Sequence, residues 1–334
     1  MSETQKKIVL IFGATGSIGV YLASYLKEKL SAKEFEIIAI GRRNTTFFEK
    51  YSIPYISADI TEQKDYESLP RKNIFAAIHL ANMLPARMKE YNPLEYIRIN
   101  TMGTLMLLEY LRKVKADRIL FTQTYADLAG HWGHEKLLGN FLPQALNYTG
   151  DHAVYAISKC AAVDLMKNYR CSYGLKDFVF RLPNIYMYSP EQYYYVDGVK
   201  TLISYRYMIQ RAMEGLPIEV WGDPNIERDI VYVKDLCQMM MLAILVDRDH
   251  GSYNVGTGIG TTMLDQVRGM IEVFSPKNKK SSLIFCPEKR NSMEYIMDIS
   301  NAKDELGYEP KYDYLAYLND YKIEMNSARF TGLL

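Results

Sequence analysis

With 334 residues, the chain has room for about two domains at the usual ~150 residues each. Its 48% apolar and 24% charged content excludes a disordered or collagen-like chain. Forty Lys+Arg against 39 Asp+Glu leave a net charge of +1, which gives no support to a nucleic-acid binder. The longest apolar run, Met239 to Val246, falls far short of the roughly 20 residues that span a bilayer. Lys6 and Lys7 lead into an apolar run that stops at Gly13, too short for an export signal, so the chain reads as soluble and cytoplasmic. Four scattered cysteines with no C-x-x-C pair point away from a zinc site or a disulfide framework.

Ile8–Phe12 reads as a buried strand, followed by an amphipathic helix over Ile18–Leu30 and a second strand over Phe35–Ile40. The alternation continues through strands Phe75–Leu80, Arg118–Phe121 and Phe178–Leu182, with helices over Pro93–Val114 and Tyr155–Tyr173. Such a rhythm implies right-handed crossovers and a doubly wound parallel sheet, the α/β Rossmann architecture. Ligands bind such sheets beyond the carboxyl ends of the strands, where the strand order reverses. After Leu182 the rhythm breaks at Pro183, Pro190, Gly198, Gly215, Pro217 and Gly222. A strand-like Asp229–Val233, a helix-like Asp235–Val246 and a strand-like Tyr253–Val255 follow. The expected division is a dinucleotide-binding domain of residues 1–184 plus roughly 227–255, and a smaller mixed substrate-binding unit of 185–226 plus 256–334. Tyr186, Tyr188, Tyr193, Tyr194, Tyr195, Tyr205 and Tyr207 crowd the start of that unit. Rigid rings with polar tips suit a partly wet cleft or an interface; composition bias is the plain alternative.

Gly13-Ala14-Thr15-Gly16-Ser17-Ile18-Gly19 follows the first strand and opens the first helix. Glycines there let the backbone turn and approach a pyrophosphate, and the helix N-terminus offers free N–H groups. The second strand runs into Gly41-Arg42-Arg43, where a site for NAD usually carries an acid for the ribose hydroxyls. Arginine can instead pair with a 2′-phosphate, so NADP is expected over NAD. A solvated charged turn is the alternative.

Tyr155 and Lys159 stand at i, i+4 on a helical segment, hence on one face. Hydride transfer at an alcohol carbon needs a base for the hydroxyl proton, and the reverse needs an acid. Lowering a phenol by ~3 pKa units takes about 4 kcal/mol, which one cation ~4 Å away can supply. Thr124, at the carboxyl end of the strand that begins at Arg118, adds a hydroxyl for the reacting oxygen. His131-Trp132-Gly133-His134-Glu135 could hold a metal in principle, but the spacing is wrong and no metal is expected; a loop over the cleft fits better.

With these residues in place, nearly the whole chain resembles the extended short-chain dehydrogenase/reductase family of NAD(P)-dependent sugar-nucleotide epimerases and dehydratases. Gly13, Gly16 and Gly19 match its cofactor loop, Asp59-Ile60 its adenine-contacting turn, and His79-Leu80-Ala81 and Asn100-Thr101-Met102-Gly103-Thr104 the segments beside the cofactor. Thr124, Tyr155 and Lys159 fall on its catalytic Ser/Thr, Tyr and Lys. Arg181 to Tyr186 resembles the segment whose Asn (here Asn184) touches the substrate phosphate. Glu227 to Val233 resembles the one whose Arg (here Arg228) grips the nucleotide diphosphate. Tyr253-Asn254-Val255-Gly256 and Asp298 to Pro310 match its carboxyl-terminal signatures.

The resemblance implies cofactor contacts from Gly13, Thr15, Gly16, Ser17, Ile18, Gly19, Arg42, Arg43, Asp59, Ile60, Leu80, Ala81, Asn100 and Lys159. It implies substrate contacts from Thr124, Asn184, Arg228 and Tyr295. Asn100 has packing or capping as its alternative role. Tyr125-Ala126 stands where family dehydratases carry Asp-Glu, and Asp127 is one residue out of place, so dehydration is not expected. Glu288 and Asn291 stand where many relatives carry Arg and Asp. The expected activity is hydride transfer on a nucleotide-activated sugar, at C4, with a keto-sugar reductase favoured over a 4-epimerase that retains NAD. A non-catalytic dinucleotide sensor is the alternative of another class, but it would have shed one of Thr124, Tyr155 and Lys159. A homodimer through helices Pro93–Val114 and Tyr155–Tyr173 is expected.

Overall fold

The computed structural model describes residues 5–196 and 198–333. Seven strands form one parallel sheet among the described residues: β1 (Lys7–Phe12), β2 (Phe35–Gly41), β3 (Tyr55–Ser57), β4 (Ile74–His79), β5 (Arg118–Thr124), β6 (Lys176–Leu182) and β7 (His250–Asn254), in the order β7-β6-β5-β4-β1-β2-β3. The order reverses between β1 and β4, so a crevice opens there at the carboxyl ends of the strands. Alternation within β1 sends Val9 and Ile11 into one core cluster and Leu10 and Phe12 into another, so both faces are covered.

Helix α1 (Ser17–Lys29) follows β1 at once and buries Val20, Tyr21, Leu22, Ala23 and Leu26. The expected helix from Pro93 is not one rod. Its first turn, Pro93–Tyr96, passes into a π-helical segment, Ile97–Met102, before α2 (Gly103–Lys113). A π segment of this kind often marks a functional neighbourhood. Helix α3 (His152–Tyr173) starts three residues before the expected Tyr155 and ends where Gly174 takes a left-handed turn at φ 72°.

Beyond β6 the chain builds short pairings off the main sheet. Ile185–Tyr186 pairs with Val231–Tyr232, Ile218–Trp221 with Leu283–Cys286, and Glu227–Asp229 with Gly260–Thr262. The single strand expected at Asp229–Val233 is thus two short ones, neither in the main sheet. The chain rejoins that sheet only through α4 (Val233–Leu245) and β7. The core runs on without a break, because Ile209, Val220, Val267 and Tyr317 belong to the same buried cluster as Val9 and Ile11. No helix among the described residues is long and apolar enough to cross a membrane.

Candidate active site

A cleft of about 1890 Å³ runs along the carboxyl ends of the strands, between the sheet and the segments after β6. At one end it is lined by Gly13, Thr15, Gly16, Ser17, Ile18 and Gly19. Gly13 sits at φ +84°, and a Cβ there would lie 2.6 Å from the Ala81 nitrogen, so only glycine lets the loop pack against the end of β4. Gly19 is equally tight: its Cβ would lie 2.5 Å from the Gly13 oxygen. Gly16 caps α1 with no side-chain hydrogen bond, which leaves the first-turn N–H groups for an anion. Leu80, Ala81 and Ile60 continue this wall.

Arg42 and Arg43 line the same end, and Arg42 lies 3.6 Å from the Asp59 carboxylate. Asp59 also accepts from the backbone and hydroxyl of Thr61. Burial works to raise its carboxyl, but the Thr61 bonds, with Arg42 behind them, hold it below the usual range. A Cβ on Gly41 would meet the Thr15 hydroxyl at 2.9 Å, so the missing side chain serves loop packing as well as any ligand.

Thr124 and Tyr155, each 7% exposed, reach the cleft from β5 and α3. The Thr124 hydroxyl accepts from Ala126 N–H at 3.2 Å. Burial pushes the Tyr155 phenol up to about 12, with Thr124 pulling the other way. Lys159 does not join them at the surface of the cleft. It is 1% exposed, its Nζ lies 3.9 Å from the Phe121 ring centroid, and burial pulls it down to about 7. Residues at i, i+4 share a helix face, but here they reach different depths.

Asn100, expected to touch the cofactor, lies outside the cleft lining at 1% exposure. Its Oδ1 accepts from Met83 N–H at 2.7 Å, and its Nδ2 donates to Met83 O and Ser158 Oγ. The π segment thus spends this amide on tying the loop after β4 to α3. These bonds are those of a packing role, and Asn100 caps no helix. His79 is also buried, with Nε2 on the Thr104 hydroxyl; burial first, then Lys159, holds it neutral down to about 3.

At the opposite end Asn184 and Arg228 line the cleft as expected. Arg228 bonds the Met293 carbonyl and has no carboxylate partner among the described residues. Tyr295 does not line the cleft. It is 1% exposed and lies behind Arg228, with the guanidinium 5.7 Å from its ring centroid. Arg290, between the Glu288 and Asn291 compared above, does line the cleft and also lacks a carboxylate partner among the described residues. Its signal was an arginine two positions after Glu288.

Asp127 is absent from the lining. Arg181 Nε lies 3.0 Å from both of its oxygens, and the pair is buried. The acids that do line the cleft are each paired: Asp59 with Arg42, Asp151 with His152, Glu191 with Arg87, and Glu219 with Lys289. In the His131–Glu135 stretch, His131 spends one ring nitrogen on Glu135 and the other on the Pro143 carbonyl. Trp132 of this loop lines the cleft, its ring tilted 35° to that of Tyr125 with centroids 4.9 Å apart. Of the crowded tyrosines, Tyr186, Tyr194, Tyr205 and Tyr207 line the cleft.

A Rossmann sheet with a glycine-rich turn at its switch point, and Thr124 and Tyr155 facing the same cleft, define an α/β protein built to hold a ligand beyond the carboxyl ends of its strands. Residues 9–256 match the NAD dependent epimerase/dehydratase family, and the chain belongs to that family. A putative UDP-glucose 4-epimerase of Methanocaldococcus jannaschii is 25% identical over 314 residues, spanning 92% of this chain and 94% of that protein. The fold is shared with the UDP-glucose 4-epimerase of Thermotoga maritima, solved with UDP-glucose (TM-score 0.74, 21% identity, 96% of this chain and 100% of the other). It is shared too with the UDP-glucuronic acid 4-epimerase of Bacillus cereus, solved with UDP-glucuronic acid and NAD (TM-score 0.72, 18% identity, 95% and 99%).

Proposed function

We propose that this chain transfers hydride at C4 of a nucleotide-activated sugar, working as an NADP-dependent keto-sugar reductase. The observation that carries the reading is the convergence of Thr124 and Tyr155 on the cleft that begins at the glycine loop and ends at Arg228. The uncapped first turn of α1 and the residues Gly13 to Gly19 fit a dinucleotide pyrophosphate, with Arg42 and Arg43 toward its adenosine end. A nicotinamide dinucleotide held there supplies the hydride chemistry. Tyr155, kept as a neutral phenol by burial, gives its proton to the oxygen of the sugar carbonyl, and Thr124 hydrogen-bonds that oxygen. Asn184, Arg228 and Arg290 hold the diphosphate. In this reading residues 1–184 plus 227–255 hold the dinucleotide, and 185–226 plus 256–334 hold the sugar nucleotide.

Dehydration is disfavoured, because each acid lining the cleft is engaged by a neighbouring basic side chain and Asp127 is spent on Arg181. One observation favours a second reading, a 4-epimerase retaining NAD: the Asp59 carboxylate, 3.6 Å away, already draws on the Arg42 guanidinium that a 2′-phosphate would need. Copies of the chain pair through the exposed Leu94, Ile97, Met102 and Ile157 on the two long helical segments, giving a cytoplasmic homodimer.

The test is a panel of nucleotide sugars and their 4-keto forms, read for NADPH oxidation and for epimerised product. Exchangeable NADPH consumption supports the reductase. Epimerised product with retained NAD supports the second reading. Neither signal from any sugar overturns both.

A further inference from the structure

We infer that the sugar this cleft accepts carries no ionised group of its own, so a nucleoside diphosphate hexose or deoxyhexose fits and a nucleoside diphosphate uronate does not. The inference rests on the nucleotide-sugar reading above and concerns the stretch between Tyr155 and Arg228. A sugar reacting at Tyr155 with its diphosphate at Arg228 and Arg290 must lie along Tyr125, Ala126, Trp132 and Met293, all of which line the cleft. This wall is aromatic and aliphatic: the Tyr125 ring lies between those of Trp132, 4.9 Å away, and Tyr295, 5.3 Å away, tilted to both.

A carboxylate on the sugar would be held best by a basic side chain there, and among the described residues each basic side chain nearby is already engaged. Arg87 bonds Glu191 at 2.9 Å. Arg206 is buried, with its donors on the carbonyls of Met187, Ser189 and Glu191 and on the Ser189 hydroxyl. Arg211 donates to the Pro217 carbonyl at 2.6 Å and to the Tyr207 hydroxyl at 3.3 Å, and its charge bears on Glu219. His152 bonds Asp151 at 2.6 Å. In the 147–152 loop, Thr149 turns both its N–H and its hydroxyl onto the Asn147 side-chain oxygen. Arg228 and Arg290 remain, and the diphosphate claims both. A sugar carboxylate would therefore lose water against aromatic rings with no charge to replace it.

The experiment is calorimetric titration of the full chain saturated with dinucleotide. Uridine, thymidine and guanosine diphosphates are titrated first. The hexose and the uronate are then compared on the diphosphate that binds, as UDP-glucose against UDP-glucuronic acid for uridine. The uronate is expected to bind roughly tenfold or more weakly than the hexose, because its carboxylate is desolvated without a partner. Equal or tighter binding of the uronate overturns the inference and leaves the nucleotide-sugar reading standing. A chain that binds none of the three diphosphates overturns that reading, and this inference with it.

Discussion

Lys159 places its ammonium 3.9 Å from the centroid of the Phe121 ring, beneath the cleft rather than at its surface. It makes no ion pair among the described residues, and burial pulls it down to about 7. The unfolded chain holds this proton up to about 10.5, so between pH 7 and 10.5 the unfolded state binds more protons and Lys159 costs less as pH rises. Its penalty is largest at and below pH 7, on the order of a few kcal/mol. A Lys159→Met variant should melt above the wild type at pH 6–7. The gap should close toward pH 10, as thermal scans across that range would show. A variant that melts lower at every pH would mean that the buried ammonium holds the fold together.

Tyr155 is a neutral phenol over the whole working range, because burial outweighs the pull of Thr124. As a general acid it is lost only when pH rises through its own value, about 12. The rate of keto-sugar reduction should therefore show no alkaline loss from this group below about pH 11. Tyr155→Phe should keep dinucleotide binding and lower turnover by roughly 10²–10⁴-fold, the usual worth of a positioned acid. Unchanged turnover in the Phe variant would remove Tyr155 from the chemistry.

Asp127 and Arg181 form a buried pair, with Arg181 also donating to Asn254 at 2.8 Å. Removing one partner leaves an uncompensated charge, so Asp127→Ala should cost about 3–5 kcal/mol in chemical unfolding. Turnover per folded molecule should stay near wild type, because the carboxylate does not line the cleft. A proton-transfer role would reverse that pattern, with stability kept and turnover lost.

The residues legible in the sequence were those whose type the backbone or the chemistry demands at a fixed place. Gly13 and Gly19 are required by close approach. Thr124 and Tyr155 sit at element ends that open on the crevice, so position alone aims them. The three that went elsewhere depend on side-chain depth or on long-range packing. Lys159 shares a helix face with Tyr155 but extends inward to Phe121. Asn100 lies in a π segment that no 3.6-residue periodicity reveals, and its amide bonds Met83 and Ser158. Tyr295 is set by a bridge to Arg228, 67 positions away in a region without clear periodicity. Arg290 shows the converse, a cleft residue hidden by a two-position offset from Glu288.

Away from the cleft, Glu324 ties the last helix to the residues that follow it. It is 3% exposed, meets Lys234 at 2.9 Å and accepts twice from Arg329 at 2.7 Å. Arg329 in turn donates to Ser24 of α1. Burial works to raise the Glu324 carboxyl, but the bonds from Arg329 and Lys234 win and hold it at about 2. A depressed carboxyl stabilises the fold above its unfolded value, near 4.5, and that share is lost as pH falls toward 2. The share at neutral pH is roughly 3 kcal/mol. Glu324→Gln should melt well below the wild type at pH 7, and the difference should shrink steadily from pH 4.5 downward. A constant difference across that acid range would show that packing, not charge, is what the side chain contributes.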